Sequence, residues 1–183
     1  KNTFYRNKLE FTFSNKKWLT EDEIQSEKDF SNSDSLGFHA PDMFDKVINI
    51  NKCWLQPDPS NQIRNFMYRY ALDNNLDFFD IREKKGFLRT LIIRTSSTGE
   101  TMIIISFFHE NKTERIKLLE ALKNKFTDLT SIMYVINEKG NDTITDQQIE
   151  LYHGRDYIFE EMEGLKFKIG PKSFYQTNSE QAY

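Results

Sequence analysis

The sequence is short of most features that announce a chemistry. Its 183 residues include one cysteine, which excludes an intrachain disulfide framework and any self-contained four-cysteine metal site. No run approaches the ~18 apolar residues of a membrane span, and no signal peptide opens the chain. Charge of one sign is also lacking: the net charge is −3, so bulk charge does not mark a strongly basic nucleic-acid binder. There is no glycine-rich phosphate loop, no H-E-x-x-H and no G-x-S-x-G nucleophile elbow. The three histidines, His39, His109 and His153, are far apart and lack metal-ligand spacing, so surface or hydrogen-bonded roles suit them. From spacing alone no enzyme can be defended. These absences point to the cytosol.

What is present suits a packed domain. Hydrophobic residues make up 38% and charged residues 29%, with sixteen Phe and eight Tyr to supply large apolar surfaces. The length fits one domain able to bury a proper core. Residues 14–46 stand apart, with eight acidic residues against four lysines, and read as a solvated acidic loop or insertion. The chain begins at Lys1 without an initiator Met, and Ser179-Glu180-Gln181-Ala182 before Tyr183 reads as the first turn of a helix. A fragment of a longer protein is therefore expected, with 174–183 starting a connection onward.

Alternation predicts a strand over 6–18 with Leu9, Phe11 and Phe13 on one face. Gly37-Phe38-His39-Ala40-Pro41 reads as a turn and 46–50 as a short strand. A helix is predicted over 61–72 through Ile63, Phe66, Met67 and Tyr70, capped by Asp58 or Ser60. The clearest element is a hairpin, 87–94 and 101–107 around Ser96-Ser97-Thr98-Gly99. Its second strand is so continuously apolar that burial on both faces is expected. A helix over 113–125 through Ile116, Leu119 and Leu122 follows, then a strand over 132–137. Short strands over 149–152, 158–162 and 165–169, linked by Gly154 and Gly164, complete the pattern. The class expected is α+β, a largely antiparallel or mixed sheet with two or three flanking helices.

Two features call for more than packing. Arg89 and Arg94 are five apart, so on a flat strand they face opposite sides. At least one must pair with an acid or lie on an exposed face. The run Ile169-Gly170-Pro171-Lys172-Ser173-Phe174-Tyr175-Gln176-Thr177-Asn178 combines aromatics and amides, which suits a nucleobase: a ring covers its π face and an amide reads its edge. The same run also fits helix capping, through Ser173-x-x-Gln176 or Thr177-x-x-Glu180.

Several motifs recur in one order. They are Tyr5-Arg6-Asn7-Lys8 with Glu10-Phe11, Gly37-Phe38-His39, Cys53-x-Leu55-Gln56, and Gly86-Phe87-Leu88-Arg89-x-Leu91-x-Ile93-Arg94. Ser131-Ile132, Asn137, Gly154-Arg155-Asp156-Tyr157-Ile158 and Phe174-Tyr175-Gln176-Thr177-Asn178-Ser179-x-Gln181-Ala182 follow. Together they resemble the SAM-dependent RNA (uracil-5-)-methyltransferases, the 23S rRNA and tRNA 5-methyluridine enzymes. The resemblance implies that residues 1–183 are the central domain of such an enzyme. The cofactor loop, the nucleophilic cysteine and the general base would lie downstream, leaving no catalytic residue in this chain and no activity in it alone.

By the same resemblance, Phe174, Gln176 and Asn178 lie near the flipped uracil and S-adenosyl-L-methionine. Arg6, Lys8, Arg89 and Arg94 are candidates for phosphate contacts. Cys53 matches one ligand of the [4Fe–4S] cluster of the rRNA branch, which leans the substrate toward rRNA rather than tRNA. A lone thiolate holds no cluster, so Cys53 in this chain is expected to be a free thiol. The implied partner is RNA, with no DNA, no membrane and a monomeric fragment. The alternatives are a non-catalytic RNA-binding or assembly module, or a protein-interaction domain whose acidic segment meets a basic partner.

Overall fold

The computed structural model describes residues 2–26 and 33–178. Among these described residues nine strands and three helices follow one another as β1 (Lys8–Ser14), α1 (Glu21–Gln25), β2 (Ser35–Ala40), β3 (Met43–Asn49), α2 (Ser60–Asp73), β4 (Leu88–Thr95) and β5 (Thr101–Phe107). Then come α3 (Lys112–Lys125), β6 (Ser131–Ile136), β7 (Glu150–Gly154), β8 (Ile158–Met162) and β9 (Leu165–Ile169). Seven strands form one sheet in the order β3-β2-β1-β4-β5-β6-β7, and β8-β9 make a separate hairpin. All the neighbours in the large sheet are antiparallel except β5 and β6. That parallel pair needs a crossover, which α3 provides. The α+β class expected from the sequence is the one found.

Two cores explain the hydrophobic pattern. Leu9, Phe11 and Phe13 of β1 join Leu91, Ile93, Ile103 and Ile105 under α2 and α3, which contribute Ile63, Met67, Leu118 and Leu122. On the opposite sheet face, Ile92, Met102, Ile104 and Met133 meet Ile158 and Ile169 of the β8-β9 hairpin. Strand β5 is thus covered on both sides and every one of its residues is buried, which is why its sequence is continuously apolar.

Four local expectations are corrected. Residues 37–40 are not a turn but lie in β2, between β1 and β3. A Cβ on Gly37 would fall 1.9 Å from the Ile48 carbonyl oxygen. Glycine is required there by close backbone approach rather than by a bend. Much of the acidic segment 14–46 is therefore sheet, with Ser35 and Leu36 fully buried, although its residues 27–32 lie outside the described residues. Neither Asp58 nor Ser60 caps α2; Pro59 occupies that position with no side-chain hydrogen bond. Ile116 is 40% exposed, and Leu118 turns inward instead.

One further correction concerns a candidate site segment. Ser173 starts no helix: residues 171–178 are turn and irregular chain, and Ser173 Oγ accepts from the Gly170 amide at 2.9 Å. The turn expected over 179–182, and with it the Thr177-x-x-Glu180 box, lies outside the described residues. Among the described residues no helix is long and apolar enough to cross a membrane.

Candidate functional site

The β1-β4 pair sets the floor of the site. In this antiparallel register Lys8 lies opposite Arg94 and Glu10 opposite Ile92, and cross-strand neighbours share a face. With Leu9, Phe11 and Phe13 turned to the helices, Lys8, Glu10, Ile92 and Arg94 point the other way. Two segments stand over them as walls, 142–145 on one side and 171–177 on the other, enclosing a cleft of about 550 Å³.

The second wall is tied to the floor by backbone recognition. Asn7 donates its amide N–H to the Thr177 carbonyl and its side-chain Nδ2 to the Gln176 carbonyl, both at 2.8 Å. Arg94 Nη2 donates to the Ser173 carbonyl at 2.8 Å. Because these bonds take the main chain, the side chains of 174 and 176 are left to solvent. Phe174 is 87% exposed at the rim and Gln176 is exposed beside it. Asn178 is half-buried.

The first wall is held by Arg89. A register shift between Leu88 and Thr90 inserts one residue into β4 and changes the side on which Arg89 emerges. Arg89 therefore emerges on the cleft side of the sheet as Arg94 does, contrary to the opposite faces expected of a flat strand, but the two hold different walls: Arg94 bonds Ser173, while Asp142, which lines the cleft, takes the Arg89 ion pair at 2.9 Å. Arg89 Nη1 also donates to the carbonyls of Asn137 and Lys139 at 2.6 and 2.7 Å, and its guanidinium covers the Phe79 ring at 4.7 Å. Buried Asn137 finishes the loop, donating to Asn141 and accepting from the Lys139 amide. Arg89 is 1% exposed, so a direct phosphate contact has no surface to act through. Its role here is to position the 137–142 wall.

Arg94 differs in kind. It is 6% exposed and faces the cleft, yet among the described residues no carboxylate pairs with it. Its buried Nε has no hydrogen-bond partner. Burial lowers its pKa, an effect that nearby Glu10 partly offsets; Glu10 itself pairs with Lys8. An unpaired buried cation is costly to fold, and it gives the cleft a ready donor for an anionic or carbonyl oxygen. Arg6 is exposed next to the same strand and is anchored by its amide to the Leu55 carbonyl at 2.9 Å.

Cys53 sits apart from this cleft, 5% exposed and clamped by Asn61, which accepts from its amide at 2.7 Å and donates to its carbonyl at 3.0 Å. A single thiol does not fit an iron–sulfur cluster, and among the described residues no group of three or more potential ligands gathers. Neither α2 nor α3 follows a glycine-rich turn of the kind that would cradle S-adenosyl-L-methionine.

A second cleft, of about 510 Å³, opens at the far end of α2 and is lined by Asp34, Asn75, Asp77 and Lys85 among others. Burial, reinforced by the charge of Asp77, raises the Asp34 pKa to about 6. Sequence reasoning passed over this carboxylate, since nothing in its spacing marks a burial that depends on the β2 strand.

No protein-family model matches the chain. Curated relatives do. An uncharacterized RNA methyltransferase of Bacteroides thetaiotaomicron is 53% identical over 186 residues, covering 100% of this chain and 41% of that protein. One of Porphyromonas gingivalis is 55% identical over 185 residues, covering 98% and 40%. The chain thus spans about two-fifths of the length of these relatives. Among solved structures, the Pyrococcus abyssi tRNA (uracil-54, C5)-methyltransferase in complex with S-adenosyl-L-homocysteine superposes with a TM-score of 0.71 at 22% identity, over 100% of this chain and 39% of that one; at that identity the likeness is one of fold. Along its whole length, the chain is a homologue of one segment of the proteins named RNA methyltransferases.

Proposed function

We propose that this chain is the central, RNA-engaging part of an S-adenosyl-L-methionine-dependent enzyme that methylates C5 of uridine in RNA. The observation that carries the reading is Arg94, a buried guanidinium without a carboxylate partner, facing a cleft lined by the exposed Phe174, with the exposed Gln176 two residues further on. RNA supplies what this cleft lacks: phosphate or carbonyl oxygens for Arg94 and Lys8, a π face for the Phe174 ring, and a base edge for the Gln176 amide.

The chemistry assigns these residues binding roles. Uracil must leave its stack before C5 and C6 can be reached. A ring that stacks and neutral groups that hold the edge keep the extruded base in place while the thiolate and methyl donor act from elsewhere in the full-length protein. Arg6 extends the basic track along the backbone, and Asn178, two residues beyond Gln176, is a further amide for the base edge. The match of Cys53 to the rRNA branch favours 23S rRNA over tRNA. Iron analysis of the full-length protein tests that branch assignment, and a metal-free active enzyme would remove it.

The test of the function itself is methyl transfer by the full-length protein to an RNA transcript, with the product nucleoside read by mass spectrometry. The expected product is 5-methyluridine, and the isolated chain is expected to yield none. A different methylated nucleoside, or turnover by the chain alone, overturns the proposal.

A further inference from the structure

The β8-β9 hairpin has two unlike faces. Its register pairs Ile158 with Ile169, Phe159 with Lys168, Glu160 with Phe167 and Glu161 with Lys166. Cross-strand partners share a face, so Ile158, Glu160 and Ile169 turn inward, while Phe159, Glu161, Lys166 and Lys168 turn outward with Tyr157 just before them. The inward face is fastened down. Ile158 and Ile169 are in the second core, Glu160 accepts from the Ser97 amide at 2.9 Å, and Thr98 donates to the Phe159 carbonyl at 2.7 Å. The outer face is therefore a rigid platform.

That platform alternates rings and cations. Lys168 Nζ lies 4.0 Å from the Tyr157 ring centroid and Lys166 Nζ 4.6 Å from that of Phe159. Arg155 lies over both rings, at 4.9 and 5.2 Å. Arg155 spends its charge on Glu100. Lys166 and Lys168 are exposed, and among the described residues neither has an ion-pair partner; Glu161 is the one acid on the face. The platform also runs into the cleft. Strand β9 ends at Ile169, two residues before the wall at Pro171.

We infer that the outer face of this hairpin is a second RNA contact, taking the single-stranded backbone that flanks the nucleotide held in the cleft. Two exposed ammonium groups match successive phosphates, and the half-buried rings beneath them offer flat surfaces to neighbouring bases. The inference rests on the RNA-engaging reading above.

The test measures binding of a fluorescein-labelled oligouridylate to the chain by anisotropy across a salt series, for wild type and for Lys166→Gln/Lys168→Gln. The variant is expected to bind on the order of tenfold more weakly, and its log–log salt slope to be shallower by about 1.4, from ~0.7 per phosphate on a single strand. A merely structural cation–π role would lower the melting temperature and leave that slope unchanged, which overturns the inference and turns the face toward a protein contact. Wild type that binds no oligouridylate at any salt refutes the RNA-engaging reading itself, so the two failures are distinguishable.

Discussion

The two arginines of β4 should differ in how much stability the same substitution costs. Arg89→Met removes the Asp142 ion pair and the bonds to the Asn137 and Lys139 carbonyls, leaving buried acceptors behind. Breaking such a buried network costs about 3–5 kcal/mol, and the lower end applies because the Asp142 side chain is 41% exposed and can be rehydrated. Arg94→Met removes one charged hydrogen bond, to the Ser173 carbonyl, at about 1.5–3 kcal/mol. It also relieves an unsatisfied Nε and a desolvated charge, a gain of similar size. The net change at Arg94 should lie within about 1 kcal/mol. In urea, with a slope near ~2.5 kcal/mol/M for a chain of this size, Arg89→Met should lower the midpoint by about 1 M and Arg94→Met by less than half of that. RNA affinity should fall for Arg94→Met. If Arg94→Met unfolds as readily as Arg89→Met and binds RNA like wild type, Arg94 is a structural group and the reading of the cleft fails.

Three further outcomes follow from single positions. Asp34→Asn should stabilise the chain by about 1–2 kcal/mol above pH 6 and have no effect near pH 3.8. The native pKa, raised to about 6, gives Asp34 a contribution that is complete below its unfolded value and lost as pH rises through 6; parallel urea melts at the two pH values check it. Gly37→Ala should cost about 2–3 kcal/mol or more, because its methyl would meet the Ile48 carbonyl at 1.9 Å, and a thermal melt indistinguishable from wild type would refute the close approach of β2 and β3. Gln176→Ala in the full-length protein should lower methylation at least tenfold with an unchanged melting temperature, since the side chain is exposed and the proposed role gives it a base edge to hold rather than the fold; unchanged turnover would reduce residue 176 to its main-chain bond with Asn7.

Most of the fold was legible because alternation and helical spacing report burial directly. The 87–107 hairpin and the doubly covered β5 needed nothing beyond their own residues. The misread places share a cause, which is dependence on a distant neighbour. Gly37 looks like a turn residue until the β3 backbone is seen against it. Ile116 fits the helical stripe as well as Leu118 does, and only the position of the sheet decides between them. At the site, the aromatic and amide run 174–178 was visible as chemistry, but its irregular backbone is tied down by Asn7, just before β1, and by Arg94 of β4. The different fates of Arg89 and Arg94 hang on a one-residue bulge, which no residue pattern marked.

The central claim is that the cleft between β1-β4 and residues 171–177 receives an RNA base. Photocrosslinking of the chain to an oligonucleotide carrying 5-bromouridine, followed by mass spectrometric mapping of the adduct, tests it most directly. The account predicts crosslinks on the peptide spanning 169–178, with Phe174 or Tyr175 as the modified residue, and their loss in Arg94→Met. Crosslinks confined to the opposite, α2-α3 side of the sheet, or none under conditions where the RNA is bound, would contradict it.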